Sequence, residues 1–453
     1  MPIRVTPLLR GLAAAATLVL TLLAAHPAAA DWTTYHGDGA RDGVDRTAGA
    51  ARPFRALWSA QGLAGPIWAQ PLVYRGLVIV VTETNDVVAY RAASGRRAWR
   101  RHLGTPVPAS ALPCGDIAPT VGITSTPVID PRSGRLFVVA DLRRGQSAQH
   151  RLFALDARTG RVRFGRAVDP PSDPLNQLQR EGLALDRGRI LIGYGGNDGD
   201  CAQYRGFLVS APADDRGATT MYAVPTAREG AIWSAGGAPA IDRAGHVFVP
   251  TGNAANGPGR PFDHGDTLEK LSPLGRELDY WAPASWAQDS AADADLGSVS
   301  PALLPGGLVF QGGKNGRGYL VSTTRMGHIG GERYSAPVCD SFGSDAFTAG
   351  TLLVACTSGV RALAIDARRA RFSSRWNGPG DADGSPIVAA GRVWVASTSD
   401  DLLYGLDLRT GAVRVRQAVP AMEHFVTPAA ADGRLFLATG TSLAAFRVGA
   451  DRR

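Results

Sequence analysis

The stretch Asp383–Gln417 carries four short apolar runs separated by polar turns, and it constrains the fold more than any other part of the chain. The runs are Ser385–Ala389, Arg392–Ala396, Leu402–Leu406 and Val413–Ala418. Alternation of apolar and polar residues with a period of two, interrupted by Gly, Asp, Ser and Thr, is typical of a β-meander. Four strands of this length cannot bury their faces alone, so the unit requires further copies of itself.

Eight copies of the first hairpin of this unit occur along the chain. Each has two apolar runs joined by a tight turn, and the turn glycines are Gly76, Gly134, Gly188, Gly245, Gly307, Gly350, Gly391 and Gly433. Repeats of about 40 to 60 residues with four strands each are typical of propeller arrays. The sequence therefore predicts an all-β fold, an eight-bladed β-propeller of four-stranded blades.

The two ends of the repeat array are incomplete in complementary ways. Arg55–Gln61 (RALWSAQ) resembles a fourth strand with no first three strands before it, whereas the last copy ends without a fourth strand. Pairing the first segment into the last blade would close the ring and remove two open strand edges. We therefore expect residues 31–453 to form a single propeller domain closed by its N-terminal strand.

The first 30 residues have the pattern of a cleavable secretory signal. Arg4 and Arg10 precede an apolar run from Gly11 to Ala25, and Ala28–Ala30 supply small residues before the cleavage point. The run is shorter than the roughly 20 residues of a membrane span, and no later stretch is apolar enough to be one. We predict cleavage after Ala30, a secreted or extracytoplasmic protein, and no transmembrane segment.

Four cysteines remain in the exported chain, an even number that favours two disulfides. Cys339 and Cys356 flank a single hairpin and are expected to pair, which leaves Cys114 with Cys201. The chain contains no adjacent cysteines, no CxxCH haem-attachment motif and no CxxC zinc spacing.

Charge and short motifs give little evidence of catalysis or of nucleic-acid binding. The net charge of +8 comes almost entirely from arginine, and dispersed arginines favour a solvated surface over a nucleic-acid face. The run Gly195–Asp200 (GGNDGD) could bind calcium but is better explained as a hairpin turn, and Asp289–Gly297 as a loop between blades. Histidines are scattered without ligand spacing and no GxSxG motif occurs, so no catalytic or metal-binding residue is assigned.

Several longer segments resemble a known family. They include Cys114–Asp130 (CGDIAPTVGITSTPVID), Gly195–Phe207 (GGNDGDCAQYRGF) and Asp293–Gly316 (DADLGSVSPALLPGGLVFQGGKNG). Together with the repeats, they resemble the pyrroloquinoline quinone (PQQ)-like propellers of the quinoprotein alcohol dehydrogenase-like superfamily. That superfamily also contains the assembly lipoprotein of the barrel-assembly machinery. The resemblance covers essentially the whole chain after residue 30.

The resemblance implies that PQQ with calcium is a possible cofactor, but the chain departs from the enzymes of the superfamily. They typically hold PQQ under a disulfide of adjacent cysteines and commonly pass electrons to haem c, and neither motif is present. No segment matches their Glu, Asn and Asp calcium ligands well enough to transfer a ligand. The lipoprotein role requires a lipidated cysteine, and none follows the predicted cleavage site.

Propeller geometry brings the residues before each first strand together around one mouth of the axial channel. The residues predicted to bind a cofactor or ligand there are Trp68, Gln70, Thr124, Arg180, Glu181, Trp233, Asp383 and His424, and Ser298, Asp345 and Glu423 occupy equivalent positions. Tryptophan, arginine and carboxylates around a concave mouth suit a flat, polar or anionic small molecule. The alternative is that the tryptophans pack between blades and the polar groups bind water.

We therefore predict an exported, monomeric, non-catalytic propeller that acts as a binding or assembly scaffold. Its partner would be a small molecule or a protein at the axial mouth, with no nucleic acid involved. The alternative function is a PQQ-dependent quinoprotein oxidoreductase of the alcohol or sugar dehydrogenase type.

Overall fold

The computed structural model describes Met1 and residues 31–450. The predicted signal peptide, apart from Met1, lies outside the described residues. Within the described part, no helix is both long and apolar enough to cross a bilayer. The chain folds into eight four-stranded antiparallel sheets arranged as a propeller, as predicted.

The first four blades follow one another along the chain, each running from its innermost to its outermost strand. Blade 1 contains Leu72–Tyr74, Leu77–Val81, Asp86–Arg91 and Arg97–His102. Blade 2 contains Val128–Asp130, Arg135–Arg144, Ser147–Asp156 and Val162–Ala167. Blade 3 contains Ala184–Asp186, Arg189–Tyr194, Phe207–Pro212 and Thr220–Ala223. Blade 4 contains Ala240–Ile241, Val247–Pro250, Leu268–Leu271 and Glu277–Ala282, with His328–Ile329 added in parallel at its outer edge.

The remaining blades complete the ring. Blade 5 contains Ala302–Leu304, Leu308–Gln311, Arg317–Ser322 and Tyr334–Pro337. Blade 6 contains Ala346–Thr348, Thr351–Val354, Arg361–Asp366 and Arg371–Asn377. Blade 7 contains Ile387–Ala389, Arg392–Ser397, Leu402–Asp407 and Val413–Ala418, with Val44–Asp45 added in parallel at its inner edge. Blade 8 contains Ala429–Ala431, Arg434–Thr439, Ser442–Gly449 and Ala51–Ala60.

Short elements connect the blades. Two small two-stranded sheets pair Val107–Pro108 with Thr120–Val121 and Val299–Ser300 with Gly343–Ser344. One α-helix, Trp286–Ala291, lies between blades 4 and 5. The 3-10 turns are Ala109–Ala111, Pro174–Asn176, Ser234–Gly236 and Leu296–Ser298.

Two predictions about the repeat are confirmed. Each of the eight hairpin glycines, from Gly76 to Gly433, adopts a positive φ between 67° and 81°, a conformation that a side chain makes costly. The N-terminal strand pairs antiparallel with the last strand of the chain, so that Arg55 lies opposite Arg447. The ring is therefore closed by the first strand joining the last blade.

At several interfaces between neighbouring blades, a tryptophan on the outer strand of one blade packs against a turn glycine of the next. Trp58 of blade 8 contacts blade 1, Trp99 of blade 1 contacts blade 2, and Trp376 of blade 6 contacts blade 7. A Cβ added to Gly160, for example, would lie 2.5 Å from the Trp99 ring. These interfaces need glycine at the turn, both for its positive φ and because a side chain would collide with the tryptophan. This explains why the turn with its glycine recurs in the sequence.

The segment between Trp32 and Asp45 plugs the centre of the ring. Its backbone bonds to inner strands of several blades, for example from Val388 N to Gly43 O at 2.8 Å and between Trp32 and Val73 in both directions. Arg41, only 1% exposed, donates to the carbonyls of Pro239, Tyr35 and Asp38 and to the Thr34 hydroxyl, all at 2.8 to 2.9 Å. We call residues 32–45 the axial plug, because their backbone bonds to the inner strands of blades 1, 2, 4, 6 and 7 around the ring.

Both predicted disulfides are present, Cys114–Cys201 and Cys339–Cys356. The first joins the loop before blade 2 to a loop within blade 3, and the second closes a 17-residue stretch. All four cysteines are paired.

Candidate functional site

A cavity of about 480 Å³ opens at the axial mouth of the propeller. Its walls come from loops of several blades that enter or leave the inner strands. Of the lining residues, Arg180 and Trp68 are almost fully buried, three further aromatic side chains are half-buried, and carboxylates are exposed at the opening. The axial plug lies beyond the deep end, where Tyr35 is close enough to influence the charge of Arg180.

Arg180 is the principal charge at the floor of the cavity. The residue is only 5% exposed, and its Nη2 has no hydrogen-bond partner among the described residues. Its guanidinium lies over the rings of Trp68 and Phe425, with Cζ 5.5 Å and 5.9 Å from the two ring centroids. Burial lowers the pKa of Arg180, and the nearby Glu83 carboxyl opposes that shift. An arginine so deeply buried normally has an anionic partner, and here no carboxylate of the described chain is bonded to it.

Three aromatic rings form one wall above this floor. Phe342 and Phe425 are stacked, with ring centroids 5.7 Å apart and planes at 17°. Trp233 meets both rings edge-on at 6.4 Å and 6.2 Å. This arrangement offers flat apolar faces to a ring-containing ligand.

A second cation lies in the same wall, already paired with carboxylates. Lys314 Nζ is 2.8 Å from Asp295 and 3.1 Å from Asp293, and it lies 5.9 Å from the centroid of Trp233. Asp295 also accepts a hydrogen bond from the backbone N–H of Asn253 at 2.8 Å. Burial raises the pKa of Asp295, although Lys314 opposes that shift. The pair holds a desolvated carboxylate in contact with the cavity.

The rim is acidic. Asp116, Asp198 and Asp200 are exposed residues lining the opening, and His424 Nδ1 lies 3.6 Å from Asp116. Partial burial raises the pKa of Asp198, and the neighbouring carboxylates Asp116 and Asp200 add to that shift. The Cys114–Cys201 disulfide ties together the two loops that carry these three residues. Among the cavity charges, Arg180 is thus a buried cation without a bonded carboxylate, Lys314 and Asp295 form a largely buried pair, and the exposed opening is negative.

The structure brings four of the eight predicted ligand-binding residues together in the cavity: Trp68, Arg180, Trp233 and His424. Their binding role stays a prediction, since the chain is described without a ligand. The two tryptophans are not simply packed between blades, because both face the cavity.

Three other predicted residues are buried near the axis rather than lining the cavity. Gln70 bonds to the axial plug, accepting from His36 N at 2.9 Å. Thr124 donates to Glu83 at 3.0 Å, and Glu181 accepts from Ser234 at 2.9 Å. Burial raises the pKa values of Glu83 and Glu181 to about 8, so both are largely protonated near neutral pH.

Asp383 also lies outside the cavity lining, where it accepts the Thr398 N–H at 3.1 Å. Ser298, Asp345 and Glu423 are likewise absent from the lining. Positions before an inner strand alternate between facing the mouth and facing the blade interface, so a one-residue difference in a loop decides which side chain reaches the cavity.

Several residues that line the cavity are not among those predicted from the sequence: Asp116, Asp198, Asn253, Asp295, Lys314, Phe342 and Phe425. Asp198, Asn253 and Lys314 lie in loops after a second strand, and Asp116 and Asp295 lie earlier in connections between blades. Phe342 and Phe425, by contrast, stand four residues before a first strand, the same offset as Arg180. Gly195–Asp200 is predicted to be a hairpin turn and Asp289–Gly297 a loop between blades, and Asp198 and Gly199 do form a turn. Their position on the mouth depends on loop length and direction, which the repeat pattern does not encode.

Comparisons with known proteins agree with this architecture. A family model described as outer membrane protein assembly factor BamB matches residues 54–192 and 132–417. No curated protein sequence matches the chain significantly.

Solved structures with the same fold come from proteins of different function. Quinohemoprotein alcohol dehydrogenase from Comamonas testosteroni has a TM-score of 0.70 at 15% identity, covering 93% of this chain and 81% of that one. A europium-containing methanol dehydrogenase has a TM-score of 0.68 at 13% identity, covering 92% and 98%. BamB from Moraxella catarrhalis has a TM-score of 0.59 at 17% identity, covering 87% and 99%. At these identities the likeness establishes the fold alone.

The eight closed blades and the family match over most of the chain lead to one assignment: this protein belongs to the PQQ-like propeller family whose model is described as outer membrane protein assembly factor BamB.

Proposed function

We propose that this protein binds a small, planar, anionic molecule in its axial cavity and acts by holding that molecule. The observation that carries the proposal is Arg180, a buried guanidinium that faces an aromatic-lined cavity and whose Nη2 has no hydrogen-bond partner among the described residues. An anionic group of a ligand would supply the partner that the described chain does not, and a charge-assisted hydrogen bond of this kind is among the strongest available.

The layering of the cavity favours one orientation of the ligand. Its anionic group would lie at Arg180 and its ring against Trp233, Phe342 and Phe425. Hydroxyl, amino or cation-bearing groups would face Asp198 and Asp200 at the rim. A ligand with negative charge at both ends would be repelled by the rim unless a cation accompanied it.

PQQ fits the deep part of the cavity, because it is flat and bears carboxylates that match Arg180 and the aromatic wall. The fit for calcium is weaker. Among the described residues, the cavity carboxylates do not converge as a group of three ligand atoms. If PQQ is the ligand, it would supply redox chemistry, whereas the chain's own residues would bind its carboxylate and exclude water from its ring.

The location proposed for this activity is outside the cytoplasm. Two disulfides are typical of oxidising compartments, and the N-terminal pattern of the sequence is that of an exported protein. A scaffold that assembles proteins would need an exposed docking face, whereas the feature that stands out here is a small-molecule cavity.

The test is a calorimetric titration of the purified protein with PQQ in the presence of Ca²⁺ and with 4-hydroxybenzoate, which has an anionic group at one end and a hydroxyl at the other. We expect binding that weakens by at least about tenfold in Arg180→Met, since hydrogen bonds to charged groups contribute about 1.5–3 kcal/mol. The matched control is Arg75→Met, because Arg75 also lies over an aromatic ring, Tyr74 at 5.3 Å, but on the exposed surface. Binding of neither compound, or equal binding by wild type and Arg180→Met, would contradict the proposal.

A second function, that of a quinoprotein oxidoreductase, is favoured by Asp295. It is a carboxylate that is 5% exposed, contacts the cavity and has a raised pKa, so it could accept a proton from a substrate hydroxyl. Dye reduction with alcohols or sugars in the presence of PQQ and calcium tests this function. We expect none. Turnover that disappears in Asp295→Asn but persists in Asp383→Asn, whose site lies outside the cavity, would establish the enzyme instead.

A further inference from the structure

Blade 4 carries a second cluster of polar side chains, separate from the axial cavity. His264 lies in the loop between the second and third strands of the blade, Glu269 on the third strand, and Glu277 at the start of the fourth. One potential ligand atom from each lies within 4.8 Å of the others. It is the only such group of three among the residues that the structure describes.

The cluster holds more negative charge than its own histidine balances. His264 Nδ1 lies 2.7 Å from Glu269 Oε1, and the Glu269 side chain is fully buried. The Tyr222 hydroxyl lies alongside Glu269, yet neither that hydroxyl nor Glu269 Oε2 makes a hydrogen bond of ordinary geometry with the described chain. A buried carboxylate oxygen that has only a poorly aligned tyrosine hydroxyl beside it, with a second carboxylate nearby, is costly unless something positive binds there.

We propose that His264, Glu269 and Glu277 form a divalent-metal site, best suited to Zn²⁺. One imidazole nitrogen and two carboxylate oxygens are ligands that zinc accepts, with bonds of about 2.0–2.2 Å. The ligand type also argues against Mg²⁺ and Ca²⁺, which prefer oxygen donors alone. Because Glu277 is exposed, ions can reach the site from solvent and a coordination position stays open to water.

The surroundings hold the histidine in place for this role. Its ring is flanked by Phe262 and Tyr280, with centroid distances of 4.7 Å and 4.8 Å. Its backbone carbonyl accepts a hydrogen bond from Thr251 Oγ1 at 2.7 Å. Fixed orientation of a ligand by neighbouring groups is what a metal site requires.

The experiment is a calorimetric titration of metal-free protein with Zn²⁺, together with anomalous diffraction at the zinc edge of the loaded protein. We expect one ion between the three side chains and at least about tenfold weaker binding in Glu277→Gln, since even outer-shell changes cost 10–100-fold. Glu277 is exposed, so this variant keeps the buried His264–Glu269 pair and the fold.

Two matched variants separate this site from alternatives. His246→Ala removes a histidine of the same blade that pairs with one carboxylate, Asp242 at 2.8 Å, and it should leave zinc binding unchanged. Asp198→Asn should also leave it unchanged, since Asp198 belongs to the axial cavity. Absence of stoichiometric binding, or binding that survives Glu277→Gln and falls in either control, would overturn the proposal.

Discussion

Replacing Arg180 with methionine is expected to stabilise the ligand-free protein while it removes anion binding. Methionine is similar in length to arginine and can occupy the same space between Trp68 and Phe425 without a charge. Most substitutions of buried side chains destabilise a protein, so an increase in stability would be a distinctive result.

The size of this stabilisation can be estimated from the groups around the Arg180 guanidinium. A buried charge without a partner costs several kcal/mol, whereas the two cation–π contacts return about 1–2 kcal/mol each. Glu83 offers little compensation at neutral pH, because burial raises its pKa to about 8. We expect a net gain of about 1–3 kcal/mol in the free energy of unfolding. With about 2.1 cal/mol/K of unfolding entropy per residue over roughly 420 residues, this corresponds to an increase in Tm of about 1–3 °C.

Arg41→Met is the matched control. Arg41 is also almost fully buried, but it donates to four acceptors in and around the axial plug. Its removal leaves those acceptors without donors, at about 1–3 kcal/mol each, so this variant should melt several degrees lower. Differential scanning calorimetry of both variants at pH 6.5 in the absence of ligand measures the contrast.

The pH dependence of the stability difference between Arg180→Met and wild type tests this interpretation. Above pH 8 Glu83 ionises and compensates Arg180, so the gain in Arg180→Met should shrink or reverse by pH 9. A variant that melts several degrees below wild type at pH 6.5 would show that Arg180 is a satisfied structural residue. Arg180 would then need no bound anion as its partner.

Three further predictions concern closure, cross-links and pH. Deletion of residues 31–61 removes the axial plug and the closing strand, and we expect an aggregating product by size-exclusion chromatography; a folded monomer would contradict the closed ring. Loss of the Cys114–Cys201 bridge should cost about 4–5 kcal/mol and loss of Cys339–Cys356 about 3 kcal/mol, since their sequence separations are 87 and 17; denaturant titration of the serine variants ranks them. Burial raises the pKa values of Glu83 and Glu181 to about 8, so the folded state binds protons that the unfolded state has released. Stability should therefore fall from about pH 5 to pH 9, and Glu181→Gln should flatten that slope in thermal melts.

The fold could be predicted from the sequence because its repeat uses local signals. The strands of blade 7 match the predicted runs to within about two residues at either end, since alternation and turn glycines determine strands without long-range information. Closure was predictable for a similar reason: Arg55–Gln61 lacks partners in its own neighbourhood and the last blade lacks a strand.

The site could be predicted only in part. Arg180 and Trp233 precede first strands, and the shared geometry of the blades places such residues near the mouth. Lys314 and Asp295 come from loops whose direction depends on the packing of each blade. The polar cluster on blade 4, proposed as a metal site, has no recognisable spacing, because a strand bulge and the pairing of two strands bring Glu269 and Glu277 together.

Ring closure also has a consequence for the order of events during synthesis. The closing strand Ala51–Ala60 and its partner Ser442–Gly449 lie almost four hundred residues apart, so the earliest part of the propeller cannot complete its sheet until the last strand has been made. Until then both ends of the growing array expose unpaired strand edges, and the axial plug has only some of its partners. Growing chains are thus prone to aggregation during nearly all of their synthesis. Any factor that covers the early strand would raise the yield of closed rings.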